Sequence, residues 1–183
     1  PGERPPNIVL ILADDLGWND LTFGGGGVAR GTVPTPNIDS IAQQGVTFTN
    51  GYAANATCAA SRAALMSGRY GTRFGFEFTP TPPGMMQLAR WADAEPGRLR
   101  EIITYPDTAV PNYADMGMPA SEISIAELLV DQGYHTVHIG KWHLGLAKGM
   151  AAHDQGFKES LLMASGLYLP EDHPDVVNSK QEF

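Results

Sequence analysis

Cysteine is nearly absent from this chain, which has one among 183 residues. A single cysteine cannot form an intrachain disulfide, and it has no second cysteine with which to share a zinc ion. If Cys58 has a chemical role, it acts as a reactive or modifiable side chain. The alternative is that Cys58 only packs, as a small buried hydrophobic residue.

Positive charge and long apolar runs are also scarce. The chain carries 12 Lys and Arg against 20 Asp and Glu, for a formal net charge of -8. A nucleic-acid backbone binds a concentrated basic surface, so we expect no nucleic-acid partner. Every apolar run is much shorter than the ~20 residues that span a bilayer, so we expect no membrane span.

The chain begins at Pro1, and no charged-then-apolar leader follows. We expect that it has been processed or cut from a longer chain, so that any targeting signal has been lost. The compartment therefore stays open. It is periplasmic, secreted or lysosomal if a signal peptide was removed, with the bacterial cytoplasm as the alternative.

Three apolar segments predict strands. Residues 7–13 are a continuous apolar run, typical of a strand buried on both faces of a parallel sheet. Residues 46–52 and 134–140 are the second and third strand candidates. Helix signals separate them, so we predict an α/β fold with a mostly parallel sheet flanked by helices.

The helix signals are local and specific. Pro36 at a first helical position and Gly45 as a stop predict one helix. Ser124 and Glu127 form a capping box that predicts another, which closes at Gly133.

A third predicted helix opens at Cys58. Residues 55–57 suit a helix entry, residues 58–67 are rich in helix formers, and Gly68 is a natural C-terminal cap. Cys58 would lie in the first turn, where free N–H groups and the helix dipole favour negative charge. Arg62, four residues on, would lie on the same helix face.

Polar side chains follow two of the predicted strands. Asp14 and Asp15 follow the first, and Lys141 and His143 follow the third. Ligands of parallel sheets bind at the carboxyl ends of strands, so we predict a site there. The two aspartates suit either a helix cap or solvated turn, or a hard divalent cation such as calcium or magnesium. His143 lies in a loop, free to turn into a cleft beside Lys141.

Two other features stay open. His135 and His138 fall within the third predicted strand on opposite faces, and we interpret them as sheet histidines and not ligands. Residues 79–120 hold seven of the 14 prolines and four of the seven methionines. That stretch is a long excursion from the sheet, either a lid over the site or surface packing.

Three ordered motifs carry a family resemblance: the two aspartates after the first strand, Cys-Ala-Ala-Ser-Arg at residues 58–62, and Gly-Lys-Trp-His-Leu-Gly at residues 140–145. Together they resemble the formylglycine-dependent sulfatases (arylsulfatase-like) of the alkaline phosphatase superfamily. The match implies that residues 1–183 are the N-terminal portion of one catalytic domain of alkaline-phosphatase-like fold, whose remainder lies outside this chain.

The resemblance implies a sulfuric ester hydrolase that cleaves small-molecule sulfate monoesters. Cys58 would be oxidised to formylglycine (3-oxoalanine) by a formylglycine-generating maturation enzyme, and its hydrate would be the nucleophile. Arg62 would hold residue 58, Lys141 would hold the hydrate or the sulfate, and His143 would hydrogen-bond the hydrate. By the same resemblance Asp14, Asp15 and residue 58 would bind Ca²⁺, with Mg²⁺ as the alternative ion.

Two departures and two alternatives accompany this resemblance. The maturation motif usually has proline where this chain has Ala60. The family's later metal ligands, second histidine and second lysine lie beyond the matched stretch. One alternative function is a phosphonate monoester or phosphodiester hydrolase that uses the same formylglycine and metal. The other is a non-catalytic relative that binds sulfated ligands with Cys58 unmodified.

Overall fold

The computed structural model describes residues 4–80, 111–147, 149–163 and 176–180. Most of the predicted excursion over residues 79–120 therefore lies outside the described residues. The chain divides into two compact units, Pro1–Tyr52 and Ala53–Phe183, which are described separately below. No helix in the described ranges is long and apolar enough to cross a membrane.

Four α-helices and three β-strands are described. In chain order they are α1 (Val28–Gly31), α2 (Pro36–Gln44), α3 (Cys58–Ser67), α4 (Ile125–Asp131), β1 (Val137–Lys141), β2 (Glu159–Met163) and β3 (Val176–Lys180).

Helix α2 organises the first unit. Pro36 occupies its first turn as predicted, and the Gly45 N–H donates to Ile41 O at 2.9 Å where the helix ends. Asp39 anchors the preceding chain, because its carboxylate accepts hydrogen bonds from Thr22 Oγ1 at 2.6 Å and Thr35 Oγ1 at 2.7 Å. The hydrogen bond from Thr22 is the main cause that lowers the pKa of Asp39.

The first two strand predictions are wrong. Residues 7–13 and 46–52 form no strand, and the side chains of Val9 and Ile11 are 82% and 77% exposed. A parallel strand exists only through hydrogen bonds to neighbouring strands. The described residues of the first unit contain no other strand that could supply them. The apolar pattern predicted a buried strand, but such a strand requires a partner strand, and the described residues of this unit contain none.

The third strand prediction is confirmed in part. Strand β1 begins at Val137, three residues later than predicted, and runs parallel to β2 with Val137 opposite Glu159. Strand β2 pairs antiparallel with β3. The described sheet is therefore mixed, with the order β1-β2-β3.

Helix α4 begins at the predicted capping box. The Ser124 N–H donates to Glu127 Oε2 at 2.7 Å, and the Glu127 N–H donates to Ser124 Oγ at 3.1 Å. The fully buried Ser124 hydroxyl also donates to Gln155 O at 2.6 Å. The same hydroxyl thus caps the helix and joins it to the turn that precedes β2.

The core of the second unit lies between α3 and the loop after β1. Helix α3 buries only alanines, which are Ala59, Ala60, Ala63 and Ala64. Small side chains let other groups approach the helix closely, and the fully buried Trp142, Leu144 and Met118 belong to the same cluster. The Trp142 indole N–H donates to Met150 O at 2.9 Å, so its polar atom is satisfied.

The His138 ring packs against two aromatic side chains beside this core. Its ring meets Trp142 edge-on with centroids 5.1 Å apart and Phe157 with centroids 5.3 Å apart. Burial, and after it the positive charge of Arg62, lowers the pKa of His138 to about 4. His138 is a sheet histidine, as predicted. The placement of His135 in the strand is wrong, because it precedes β1, and its Nε2 pairs at the surface with Glu159 Oε1 at 2.9 Å.

Replacing Ser124 should destabilise the protein. Ser124→Ala removes the cap of α4 and the buried donor to Gln155 O, a loss of about 1–2 kcal/mol in the free energy of unfolding. Urea unfolding of the full-length protein measures it, with Ser121→Ala, at an exposed serine three residues earlier, as the control. Equal losses for both variants would contradict the assigned role of Ser124.

Stability should also fall with acid in a window set by His138. The pKa is about 4 in the folded state against an ordinary 6.5, so the unfolded chain takes up this proton first as pH falls. The contribution of His138 to the free energy of unfolding should be fully present above pH 6.5 and should be lost progressively as the pH falls toward 4. His138→Phe should flatten this part of the profile of melting temperature against pH. An unchanged profile would contradict the burial of a neutral His138.

Candidate functional site

The start of α3 is built by a short polar network, as the predicted helix entry requires. The N-cap residue Thr57 has extended backbone, with φ -105° and ψ 144°. Its N–H and its hydroxyl both donate to Asn55 Oδ1, at 2.8 and 2.9 Å. At the other end, Gly68 is left-handed at φ +67° and its N–H donates to Ala64 O. Both predicted helix boundaries are confirmed.

Cys58 is half-buried in the first turn of α3. Its Sγ lies 3.6 Å from Thr79 Oγ1, and the Ala59 N–H donates to the same oxygen at 3.4 Å. The sequence analysis did not single out Thr79. No sequence pattern identifies it, because the contact joins residues 21 positions apart.

Arg62 joins helix α3 to strand β1. It lies one turn after Cys58, and its Nη1 donates to Lys141 O at 2.7 Å. Lys141 is the last residue of β1, so this hydrogen bond ties the middle of α3 to the strand end. The structure thus brings Arg62 together with Lys141, two of the predicted site residues. The contact is to the backbone carbonyl of Lys141, so it fixes the main chain at the end of β1.

His143 lies in the loop two residues beyond β1. Buried Trp142 and Leu144 flank it, whereas His143 and Lys141 remain half-exposed. His143 adopts the left-handed backbone region at φ +63°, which is uncommon for a residue other than glycine and is concentrated at functional sites. The two buried neighbours anchor the loop in this conformation.

Asp14 and Asp15 lie in the other unit, Pro1–Tyr52. Asp14 is half-buried, and Asp15 is exposed with a left-handed backbone at φ +53°. Carboxylate oxygens suit Ca²⁺ or Mg²⁺. In the part of the chain that the structure describes, no three His, Cys, Asp or Glu residues converge as a metal site would require. These two residues therefore supply part of a ligand set at most.

An ion pair secures the far end of α3. Arg69 Nη1 donates to both carboxylate oxygens of Glu122, at 2.9 and 2.8 Å, and Glu122 is only 6% exposed. Arg69 directly follows the helix cap Gly68, so the pair ties α3 to the segment before α4. The sequence analysis missed it because the two residues lie 53 positions apart.

This chain is similar to known proteins. A model of the sulfatase family matches residues 6–179. Mouse steryl-sulfatase is 40% identical over 147 residues, which are 80% of this chain and 19% of that protein. Human arylsulfatase A is 38% identical over 143 residues, which are 78% of this chain and 22% of that protein.

A solved structure agrees. The PsFucS1 sulfatase from Pseudoalteromonas sp. is similar with a TM-score of 0.54 and 37% identity, over 82% of this chain and 24% of that chain. The predicted α/β class of alkaline-phosphatase-like fold is confirmed. The chain spans about a fifth of the length of the curated relatives named above. Because the family model covers nearly all of its residues, this chain belongs to the sulfatase family.

Proposed function

We propose that this chain is the N-terminal portion of the catalytic domain of a sulfuric ester hydrolase that cleaves sulfate monoesters. The observation that carries the proposal is the Arg62–Lys141 hydrogen bond, which ties α3, the helix that begins at Cys58, to the end of β1. Similarity to steryl-sulfatase and arylsulfatase A supports a sulfate ester as substrate. Activity requires the remainder of the domain, which this chain does not contain.

Residue 58 is the proposed nucleophile after oxidation of the Cys58 thiol to formylglycine by a maturation enzyme. Hydrated formylglycine would supply a geminal diol. One hydroxyl would attack sulfur and displace the alcohol, and the other would then lose its proton, so that sulfate leaves and the aldehyde is restored. Position in the first turn suits this task, because free N–H groups and the helix dipole stabilise negative charge there.

The cationic side chains bind and orient. The sulfur of a sulfate monoester is shielded by anionic oxygens, so a site must concentrate positive charge around them. Lys141 would hold the sulfate or the diol from the end of β1, while Arg62 fixes α3 against that strand. His143, held in its left-handed conformation by buried neighbours, would hydrogen-bond the diol and accept its proton at a ring nitrogen.

Asp14 and Asp15 would hold the divalent cation, Ca²⁺ or Mg²⁺. Their oxygen donors fit such an ion, and the ion would offset the charge of the substrate. The resemblance to the sulfatases assigns the remaining ligands to the part of the domain beyond this chain. The acid that protonates the leaving alcohol is assigned to the same missing portion.

The decisive functional test compares two substrates in the full-length protein made with its maturation enzyme. We expect hydrolysis of an aryl sulfate to exceed hydrolysis of a phosphodiester with the same leaving group. Cys58→Ala should lower the aryl sulfate rate by about a thousandfold or more, as loss of a nucleophile does. The melting temperature of Cys58→Ala should equal that of the wild type, which controls for a loss of folding. A strong preference for the diester would replace the sulfatase assignment with a phosphodiester hydrolase.

Metal dependence provides a separate test. Chelation of the full-length protein should abolish aryl sulfate hydrolysis, and added Ca²⁺ should restore it. Asp14→Asn should raise the Ca²⁺ concentration needed for half-maximal activity by about tenfold or more, because a carboxylate ligand has lost its charge. Asp131→Asn, at the end of α4, is the matched control. An unchanged Ca²⁺ requirement in Asp14→Asn would remove Asp14 from the ligand set.

A further inference from the structure

Thr79 contacts the start of helix α3 at two points. Its Oγ1 lies 3.6 Å from Cys58 Sγ, a distance that the larger radius of sulfur allows for a hydrogen bond. The same oxygen accepts a hydrogen bond from the Ala59 N–H at 3.4 Å. One half-buried hydroxyl therefore meets both the reactive atom of residue 58 and a backbone donor of the first turn.

The segment that carries Thr79 is held in place independently of Cys58. Asn55 Nδ2 donates to Glu77 O at 3.2 Å, while Asn55 Oδ1 accepts from the helix entry at Thr57. One asparagine side chain thus links the entry of α3 to the segment two residues before Thr79. Pro80 directly follows and disfavours helical backbone at Thr79.

A threonine hydroxyl has one proton to donate and two lone pairs to accept with. The Ala59 N–H occupies one lone pair, so the hydroxyl proton and the second lone pair are both available to the side chain of residue 58, and either atom can be the donor in the contact with Sγ. We propose that Thr79 is a positioning residue that orients the reactive atom of residue 58 by donating a hydrogen bond to it. The inference rests on the proposed function, in which an oxygen of the formylglycine hydrate takes the place of Sγ.

The reaction requires the hydrate of residue 58 to have a fixed orientation. A geminal diol rotates about its bond to Cα, but in-line attack on sulfur requires one hydroxyl at a fixed position. A donor on the neighbouring segment selects one rotamer before substrate arrives. Thr79 should therefore affect turnover more than substrate binding.

The first test measures turnover in the full-length protein, normalised to the aldehyde content of residue 58 by mass spectrometry. Thr79→Val keeps the shape and removes the hydroxyl, so kcat should fall about tenfold with KM changed less than about twofold. Thr79→Ser should restore kcat to within about twofold. Thr72→Val makes the same change at an exposed threonine and should match the wild type.

The second test does not depend on sulfatase activity. In full-length protein made without the maturation enzyme, Cys58 keeps its thiol and reacts with iodoacetamide through the thiolate. A donated hydrogen bond stabilises the thiolate, so Thr79→Val should alkylate about threefold more slowly, whereas Thr79→Ser and Thr72→Val should match the wild type.

The two tests separate failure of this inference from failure of the proposed function. Wild-type kcat in Thr79→Val, or an equal loss in Thr79→Ser, would overturn the role of Thr79 alone if turnover still requires Cys58. An unchanged alkylation rate in Thr79→Val would do the same. Wild-type turnover in Cys58→Ala would overturn the proposed function, and the role of Thr79 with it.

Discussion

The hydrogen bond from Arg62 to the Lys141 carbonyl is the constraint on which the candidate site depends. It is 2.7 Å long and joins residues 79 positions apart, one in the helix that begins at Cys58 and the other at the end of β1. A guanidinium is planar, always charged and rich in donors, so a charge-assisted bond to a carbonyl fixes direction as well as distance. The bond fixes the main chain of Lys141 relative to the helix that begins at Cys58.

Packing makes that bond possible. The buried residues of α3 are all alanines, and Ala59 and Ala63 belong to the same cluster as Trp142, with the partly buried Met66 packed against it. Trp142 and Leu144 are buried, so they fix the loop that carries His143 between them. The Arg69–Glu122 pair holds the opposite end of the same helix. The reactive end of α3 is thus positioned by contacts along its whole length.

Local signals were sufficient to predict α2, α3 and α4, but not α1. Contacts between residues that are distant in the sequence could not be predicted from local signals. Pro36, the Ser124 capping box and Gly68 act within one turn, so their effect is visible in the sequence. The run over residues 7–13 was predicted as a buried strand, but strand formation depends on partners that a sequence window does not contain. Thr79 escaped prediction for the same reason, because only tertiary packing brings it to Cys58.

The central claim is that residue 58 works as an aldehyde and not as a thiol. The most direct measurement is the mass of the Cys58 peptide from full-length protein produced together with its maturation enzyme. We expect the mass of a peptide that has oxygen in place of sulfur and two fewer hydrogens than the cysteine form. A peptide that retains the thiol mass under these conditions would contradict the proposed mechanism.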